Sequence, residues 1–278
     1  MRVGMMTLLA SMIAIAPCVA RSDAALPNAA LPNPALLDSV LAESGPPAIT
    51  GCVELAGSLL GAASDVKVTG TTACILNGNL GIDIVDYADP LAPSPLATVG
   101  VSQARNSLDV EGDLLVHCGY GPQIAVVDLQ DPGNPRELAG FDLNGGLNCR
   151  DIVLRGGVAF AVDSLGVFYT VDLADPAIPV ELGRVEFADS ILYNVEVEGG
   201  LACVVGRDPA GGDGWRLHTI DIADPADPQV LGSVDIPQRF TTWDIQIYGD
   251  TVLVPTFDGG LVFIDITDPA DPRITGSF

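Results

Sequence analysis

Apolar and polar positions alternate in short bursts along most of the chain, and the bursts return in the same order. A first segment alternates strictly, as in "DVKV" at 65, "SLDV" at 107, "DIVL" at 151, "NVEV" at 194 and "DIQI" at 244. A glycine closes each of these at Gly70, Gly112, Gly156, Gly199 and Gly249, which predicts the first arm and turn of a β-hairpin. The return arms are nearly continuous apolar runs, "TACIL", "LLVHC", "VAFAV", "LACVV" and "TVLVP". A third apolar strand ends in aspartate at Asp86, Asp128, Asp172, Asp221 and Asp265, followed by "DP" and, in each case, a second proline. A fourth piece such as "VELGRVEF" or "QVLGSVDI" completes the unit. The strand-ending aspartates are spaced by 42, 44, 49 and 44 residues. Four short strands in a unit of this length predict a β-propeller blade, whereas a helical repeat would need a period near 3.6, which these segments lack.

The reading is therefore an all-β chain, a β-propeller of four-stranded blades. It has five complete repeats, at about 64–103, 104–146, 147–190, 191–237 and 238–278, within a domain spanning 48–278. The stretch "PPAITGCVEL" at 46–55 shares its Pro-x-Ile-Thr-Gly phrase with "DPRITGSF" at the end of the chain. It reads as an extra N-terminal closing strand, 49–55. Two arrangements account for it: a chain truncated at the C-terminus from a propeller of at least six blades, or a closed five-bladed ring with the spare strand at its rim.

The "DPxxP" phrase has a local account, since a carboxylate can cap the turn while proline fixes one backbone angle. Its ten carboxylates could alternatively hold calcium, although calcium loops use closer, glycine-assisted spacing.

Before the repeats, Arg2 precedes an apolar run and then "CVA" and "SDA", the pattern of a secretory signal peptide over 1–24. Residues 25–47 repeat "ALPN" and read as an Ala/Pro-rich tether. The formal net charge is −24, with 36 acidic residues against 12 basic ones. Such a field repels a phosphate backbone and excludes nucleic acid as a partner. With no second apolar segment of spanning length, the expected mature protein is secreted, periplasmic or at the cell surface, with no transmembrane segment.

Counting five residues back from each hairpin glycine gives a ring at one level: Asp65, Ser107, Asp151, Asn194 and Asp244. Arg105, Arg150, Tyr193 and Trp243 stand beside it, and together they form the candidate ligand-binding face. Strand-start aspartates can equally satisfy backbone donors of the neighbouring blade. The return strands bring Asn77, His117, Asp163 and Arg207 to the same face, and an insertion at 206–216 carrying Trp215 could cover it. No cofactor is required by these residues, though Asp65, Asp151 and Asp244 could coordinate calcium. With only His117 and His218 and no nucleophile elbow, no catalytic constellation is visible. Five cysteines follow the signal; Cys118 and Cys149 are placed on one rim of adjacent blades and are the disulfide candidate.

The third-strand phrases "IDIVDYADP", "IAVVDLQDP" and "FIDITDPADP" resemble the LVIVD repeat. That resemblance implies a bacterial or archaeal secreted or surface propeller and no particular activity. The leading functional expectation is a binding or interaction module whose partner is a protein, a glycan or a small polar ligand. The alternative is a lactonase-like propeller hydrolase using a divalent cation in the central channel as Lewis acid.

Overall fold

A computed structural model describes residues 63–77, 80–100, 104–119, 124–143, 148–188, 190–207, 214–236, 244–256 and 260–278. The expected signal peptide, tether and closing strand at 49–55 lie outside the described residues. Two compact units divide the chain, Met1–Leu60 with Asp86–Ser94, and Gly61–Val85 with Pro95–Phe278. In the first, the described 86–94 segment is a double turn: Asp86 accepts the Ala88 amide at 2.8 Å and Asp89 the Leu91 amide at 3.0 Å.

The repeats form five antiparallel four-stranded sheets, each a simple meander. Blade one is β1 (Asp65–Thr69), β2 (Thr72–Leu76), β3 (Ile82–Asp86) and β4 (Ser94–Val99). Blade two is β5 (Ala104–Glu111), β6 (Leu114–Gly119), β7 (Ile124–Asp128) and β8 (Arg136–Phe141). Blade three is β9 (Cys149–Arg155), β10 (Val158–Asp163), β11 (Val167–Asp172) and β12 (Val180–Glu186). Blade four is β13 (Ile191–Glu198), β14 (Leu201–Arg207), β15 (Trp215–Asp221) and β16 (Gln229–Ile236). Blade five is β17 (Gln246–Tyr248), β18 (Thr251–Thr256), β19 (Gly260–Asp265) and β20 (Arg273–Ser277). First strands neighbour one another in chain order, β1 to β5 to β9 to β13 to β17, as they do around a propeller axis. Among the described residues no helix is long and apolar enough to cross a membrane.

Local chemistry explains each piece. The five hairpin glycines all take left-handed φ, between 55° and 60°, a conformation in which a side chain is strained. Second and third strands are mainly apolar where neighbouring blades cover both their faces; β10 of blade three, for example, is buried at five of its six positions. The cores lie between consecutive blades: one cluster joins Cys74, Leu76 and Ile84 of blade one to Leu108 and Leu115 of blade two, and the next joins Val116 and Ile124 to Ile152 and Tyr169.

The Asp-Pro phrase forms two consecutive turns in every blade. The strand-ending carboxylates Asp86, Asp128, Asp172, Asp221 and Asp265 each accept the amide two residues on, at 2.8–2.9 Å. The following Asp89, Asp131, Asp175, Asp224 and Asp268 do the same at 3.0–3.1 Å. All ten carboxylates are thus engaged in their own turns.

These turns also dock on the preceding blade. Thr170 of blade three donates to the Pro225 carbonyl of blade four at 2.6 Å, and Thr219 of blade four to the Pro269 carbonyl of blade five at 2.5 Å. Gly183 and Gly232 sit beneath the same turns, and a Cβ on Gly232 would lie 2.6 Å from the Ala270 carbonyl oxygen. Gly276 holds the equivalent place in blade five with nothing within 4 Å. Gly232→Ala should therefore cost about 2 kcal/mol by overpacking, measured by urea denaturation, while Gly276→Ala should be near neutral; equal effects at the two positions would refute the docking role.

Candidate functional site

The ring expected from the hairpin count is present at the starts of the first strands, and its carboxylates are anchored in the backbone. Asp65 accepts its own strand's Val66 amide at 2.7 Å and, with its other oxygen, the Leu108 amide of blade two at 3.0 Å. Asp151 repeats the arrangement with Ile152 at 2.9 Å and with Val195 of blade four at 2.9 Å. Ser107 stands between these two acids, 3.3 Å from Asp65 Oδ2 and hydrogen-bonded also to Asp151. Asn194 is buried at the same level, and Asp244 caps Ile245 at 2.9 Å. The side chain of Arg105 and all of Trp243 lie outside the described residues.

A second level of charge sits two residues further along the same strands, where Lys67, Asp109 and Glu196 follow Asp65, Ser107 and Asn194. Asp109 accepts the Leu154 amide of blade three at 2.8 Å and pairs with Arg155 at 2.7 Å. Arg155 reaches on to Glu196 of blade four at 3.5 Å, so one guanidinium bridges the blades on either side of its own. Glu111 accepts the Gly156 and Gly157 amides of the next hairpin at 3.0 and 3.1 Å.

Lys67, the chain's one lysine, is the electrostatic centre of this set. Burial opposes its charge, but the carboxylates of Asp65, Asp109, Asp244 and Asp151 outweigh burial and raise its pKa above the ordinary 10.5. Burial raises Asp65 and Asp151; Lys67, amide hydrogen bonds from the neighbouring blade and Ser107 oppose that rise at both. Asp244 and Glu196 are pushed up to about 7 by burial and by neighbouring acids, with Lys67 opposing. Asp65, Asp151 and Asp244, the set considered for calcium, thus all act electrostatically on an ammonium supplied by the chain. Among the described residues no group of three or more His, Cys, Asp or Glu side chains is arranged to hold a metal ion.

Outside this ring the first strands leave their ladders at matching places. In β9, Asp151 pairs with Val162 and Cys149 with Asp163, so Arg150 is the extra residue of a β-bulge. In β13, Asn194 pairs with Val205 and Leu192 with Gly206, which leaves Tyr193 in the same position. The two expelled side chains meet: the Arg150 guanidinium lies 5.1 Å from the Tyr193 ring centroid. Tyr193 in turn packs at 4.9 Å on Trp215. Trp215, placed by the sequence in the 206–216 insertion, begins β15 and is buried in the core between blades four and five.

The return-strand residues divide by role. Asp163 is structural, accepting the Leu165 and Val167 amides and the Tyr169 hydroxyl at 2.9, 2.9 and 3.0 Å. His117 is buried with no hydrogen-bond partner for either ring nitrogen among the described residues, and burial lowers its pKa to about 4. His218 packs on Phe187 of the preceding blade at 4.3 Å. Cys118 and Cys149, the expected disulfide, are both free thiols, as are Cys74 and Cys203.

The pattern described as LVIVD repeat matches the sequence at residues 60–99, 146–186 and 241–278. The chain carries LVIVD repeats. Solved structures agree on a propeller architecture for this LVIVD-repeat chain. The WD40 β-propeller domain of Doa1 superposes with a TM-score of 0.57 at 12% identity over 78% of this chain and 68% of that one. A hypothetical selenium-binding protein from Sulfolobus tokodaii gives 0.59 at 12% identity over 75% of this chain, and the designed protein Ika8 gives 0.57 at 12% identity over 74%. The LVIVD-repeat chain spans 59% of the length of each of the latter two. No curated protein matches it in sequence.

Two predictions follow from the charge balance. Lys67→Met leaves the carboxylates without their ammonium and should lower unfolding free energy by about 3 kcal/mol, with Glu196→Gln restoring part of the loss in that background. Denaturant midpoints check this, and a loss indistinguishable from zero would disprove the counter-ion role. The second concerns pH. Asp244 and Glu196 have folded pKa values near 7 against ordinary values of 3.8 and 4.5, so the folded chain binds protons that the unfolded chain releases. Their contribution is complete below about pH 4 and is lost as pH rises through about 7. Thermal melts across that range should show a shallower fall for the Asp244→Asn, Glu196→Gln double variant than for the parent; identical slopes would count against it.

Proposed function

We propose that this chain is an exported binding module whose ligand docks where blades three and four meet, around Arg150 and Tyr193. The supporting observation is the pair of aligned β-bulges that lifts these two residues out of their ladders and stacks them. A bulge interrupts backbone pairing and re-aims a side chain; β5 carries one at the same level, and in blades three and four the re-aimed residues are an arginine and a tyrosine that stack. Arg and Tyr, backed by Trp215, supply a charged donor fork and an aromatic platform, side chains that often dominate binding energy at interfaces. The buried Nε of Arg150 has no hydrogen-bond partner among the described residues.

This combination fits a ligand that offers an acceptor group, such as a carboxylate, beside a sugar ring or other flat face. A protein or glycan of the cell envelope supplies both. The ring acids support the same reading by elimination, since Asp65 and Asp151 are committed to neighbouring amides and to Lys67. The apolar run that follows Arg2 within the expected signal segment 1–24, and the net charge of −24, support the export half of the proposal.

The test is retention of envelope protein and glycan fractions on the immobilised chain. The parent should retain a component that Arg150→Ala and Tyr193→Ala release at least about tenfold more readily, the scale of a lost interface anchor, with retention read well below the melting temperature of each variant. Retention of nothing, or equal retention by parent and variants, would overturn the proposal.

A further inference from the structure

Two buried thiols meet where blades two and three join. Cys118, near the end of β6, pairs across the sheet with Ser107 of β5. Asn106, the residue before Ser107, donates from Nδ2 to the Cys149 carbonyl and, at 2.5 Å, to Asn148 Oδ1. The first residue of β9 is thereby tied to the stretch of β5 that lies beside Cys118. Both cysteines are fully buried in one core cluster, with the Cys149 thiol directed at the Asp151 carbonyl at 3.6 Å. The other described cysteines stand apart: Cys74 is in the core between blades one and two, and Cys203 in that between blades four and five.

We propose that Cys118 and Cys149 are a dithiol that closes, on exposure to a disulfide donor, to a covalent link between the second strand of blade two and the first strand of blade three. The reaction balances as thiol–disulfide exchange. One cysteine, as thiolate, attacks a sulfur of the donor and displaces the first donor thiol; the second then attacks the mixed disulfide and displaces the other. Two protein thiols become one disulfide, two electrons pass to the donor, and the two protons leave with the donor thiols.

Because both sulfurs are buried in the folded chain, exchange is expected during folding, before the interblade core closes, and only slowly afterwards. The link closes a loop of roughly 30 residues and removes freedom from the unfolded chain. It also ties down Cys149, on the ladder side of the bulge that carries Arg150. An oxidising location rests on the export half of the proposed function, but the chemistry can be tested on the purified chain without any ligand.

The full chain is refolded with and without oxidised glutathione, free thiols are blocked with iodoacetamide after denaturation, and the digest is mapped by mass spectrometry without reduction. The expected result is a peptide linking Cys118 to Cys149, about 2 Da lighter than the reduced pair, and a melting temperature about 5–10 °C above that of the reduced chain. Dithiothreitol should abolish the rise, and Cys118→Ser and Cys149→Ser should each lack it while Cys74→Ser keeps it. Carbamidomethyl groups on both cysteines after oxidative refolding, or linkage of either mainly to Cys52, Cys74 or Cys203, would overturn the proposal. Mapping of the unmutated chain decides the matter even if a variant fails to fold. Loss of ligand retention with the link intact would refute only the binding reading.

Discussion

The structure depends on a carboxylate that reaches from one blade to a backbone amide of the next. Neighbouring blades are separate sheets with no shared ladder, so their first strands are joined only by what side chains supply. An amide buried there without a partner would cost about 1–3 kcal/mol. Asp65, Asp109 and Asp151 meet that need for Leu108, Leu154 and Val195, each also capping the next amide of its own strand. The bidentate geometry fixes both the height and the rotation of one blade against the next.

This solution creates its own difficulty, because latches on successive first strands bring their charges toward one another. Five carboxylates act on one another and on a single ammonium, with Arg155 as the second cation at Asp109 and Glu196. Where an amide hydrogen bond from another blade and the ammonium both help, as at Asp65 and Asp151, the rise from burial is opposed from two sides. Asp244 has Lys67 but no cross-blade amide among the described bonds, and it is held near 7. In a chain this acidic, the placement of its one lysine is an electrostatic requirement of the fold.

Much of this was legible in the residues. The repeat period, the hairpin glycines and the strand-ending aspartates marked all four strands of each blade, because turn chemistry and alternation are local properties. Counting back from the glycines found Asp65, Asp151 and Asp244 but passed over Lys67, Asp109 and Glu196, two positions on in "DVKV", "SLDV" and "NVEV". The signal was there, since residues two apart on a strand share a face. The cross-blade contacts of Thr170 with Pro225 and of Asp109 with Leu154 join residues 55 and 45 apart, and no local pattern encodes the register between blades. Trp215 was read as loop because glycines precede it, although it begins the apolar run "WRLHTI" that forms β15.

In a repeat protein the recurring residues answer to the recurring task, here the closing of turns and the latching of blades. Residues that respond to something else should therefore break the repeat's geometry. The Asp-Pro turns do not break it: their carboxylates do the same thing in every blade. The bulge recurs as well, at the same place in β5, β9 and β13, but the residues on it differ from blade to blade, and Arg150 and Tyr193 are turned toward each other. Straightening either strand would recover backbone pairing but would return the side chain to the alternation of the sheet and dissolve the stack. The latches on the far side of the same strands, Asp151 to Val195 above all, allow the departure by holding the blades in place while two ladders are interrupted. Rigidity between blades is thus what permits irregularity within them, and that irregularity presents the arginine and tyrosine together at one place on the rim.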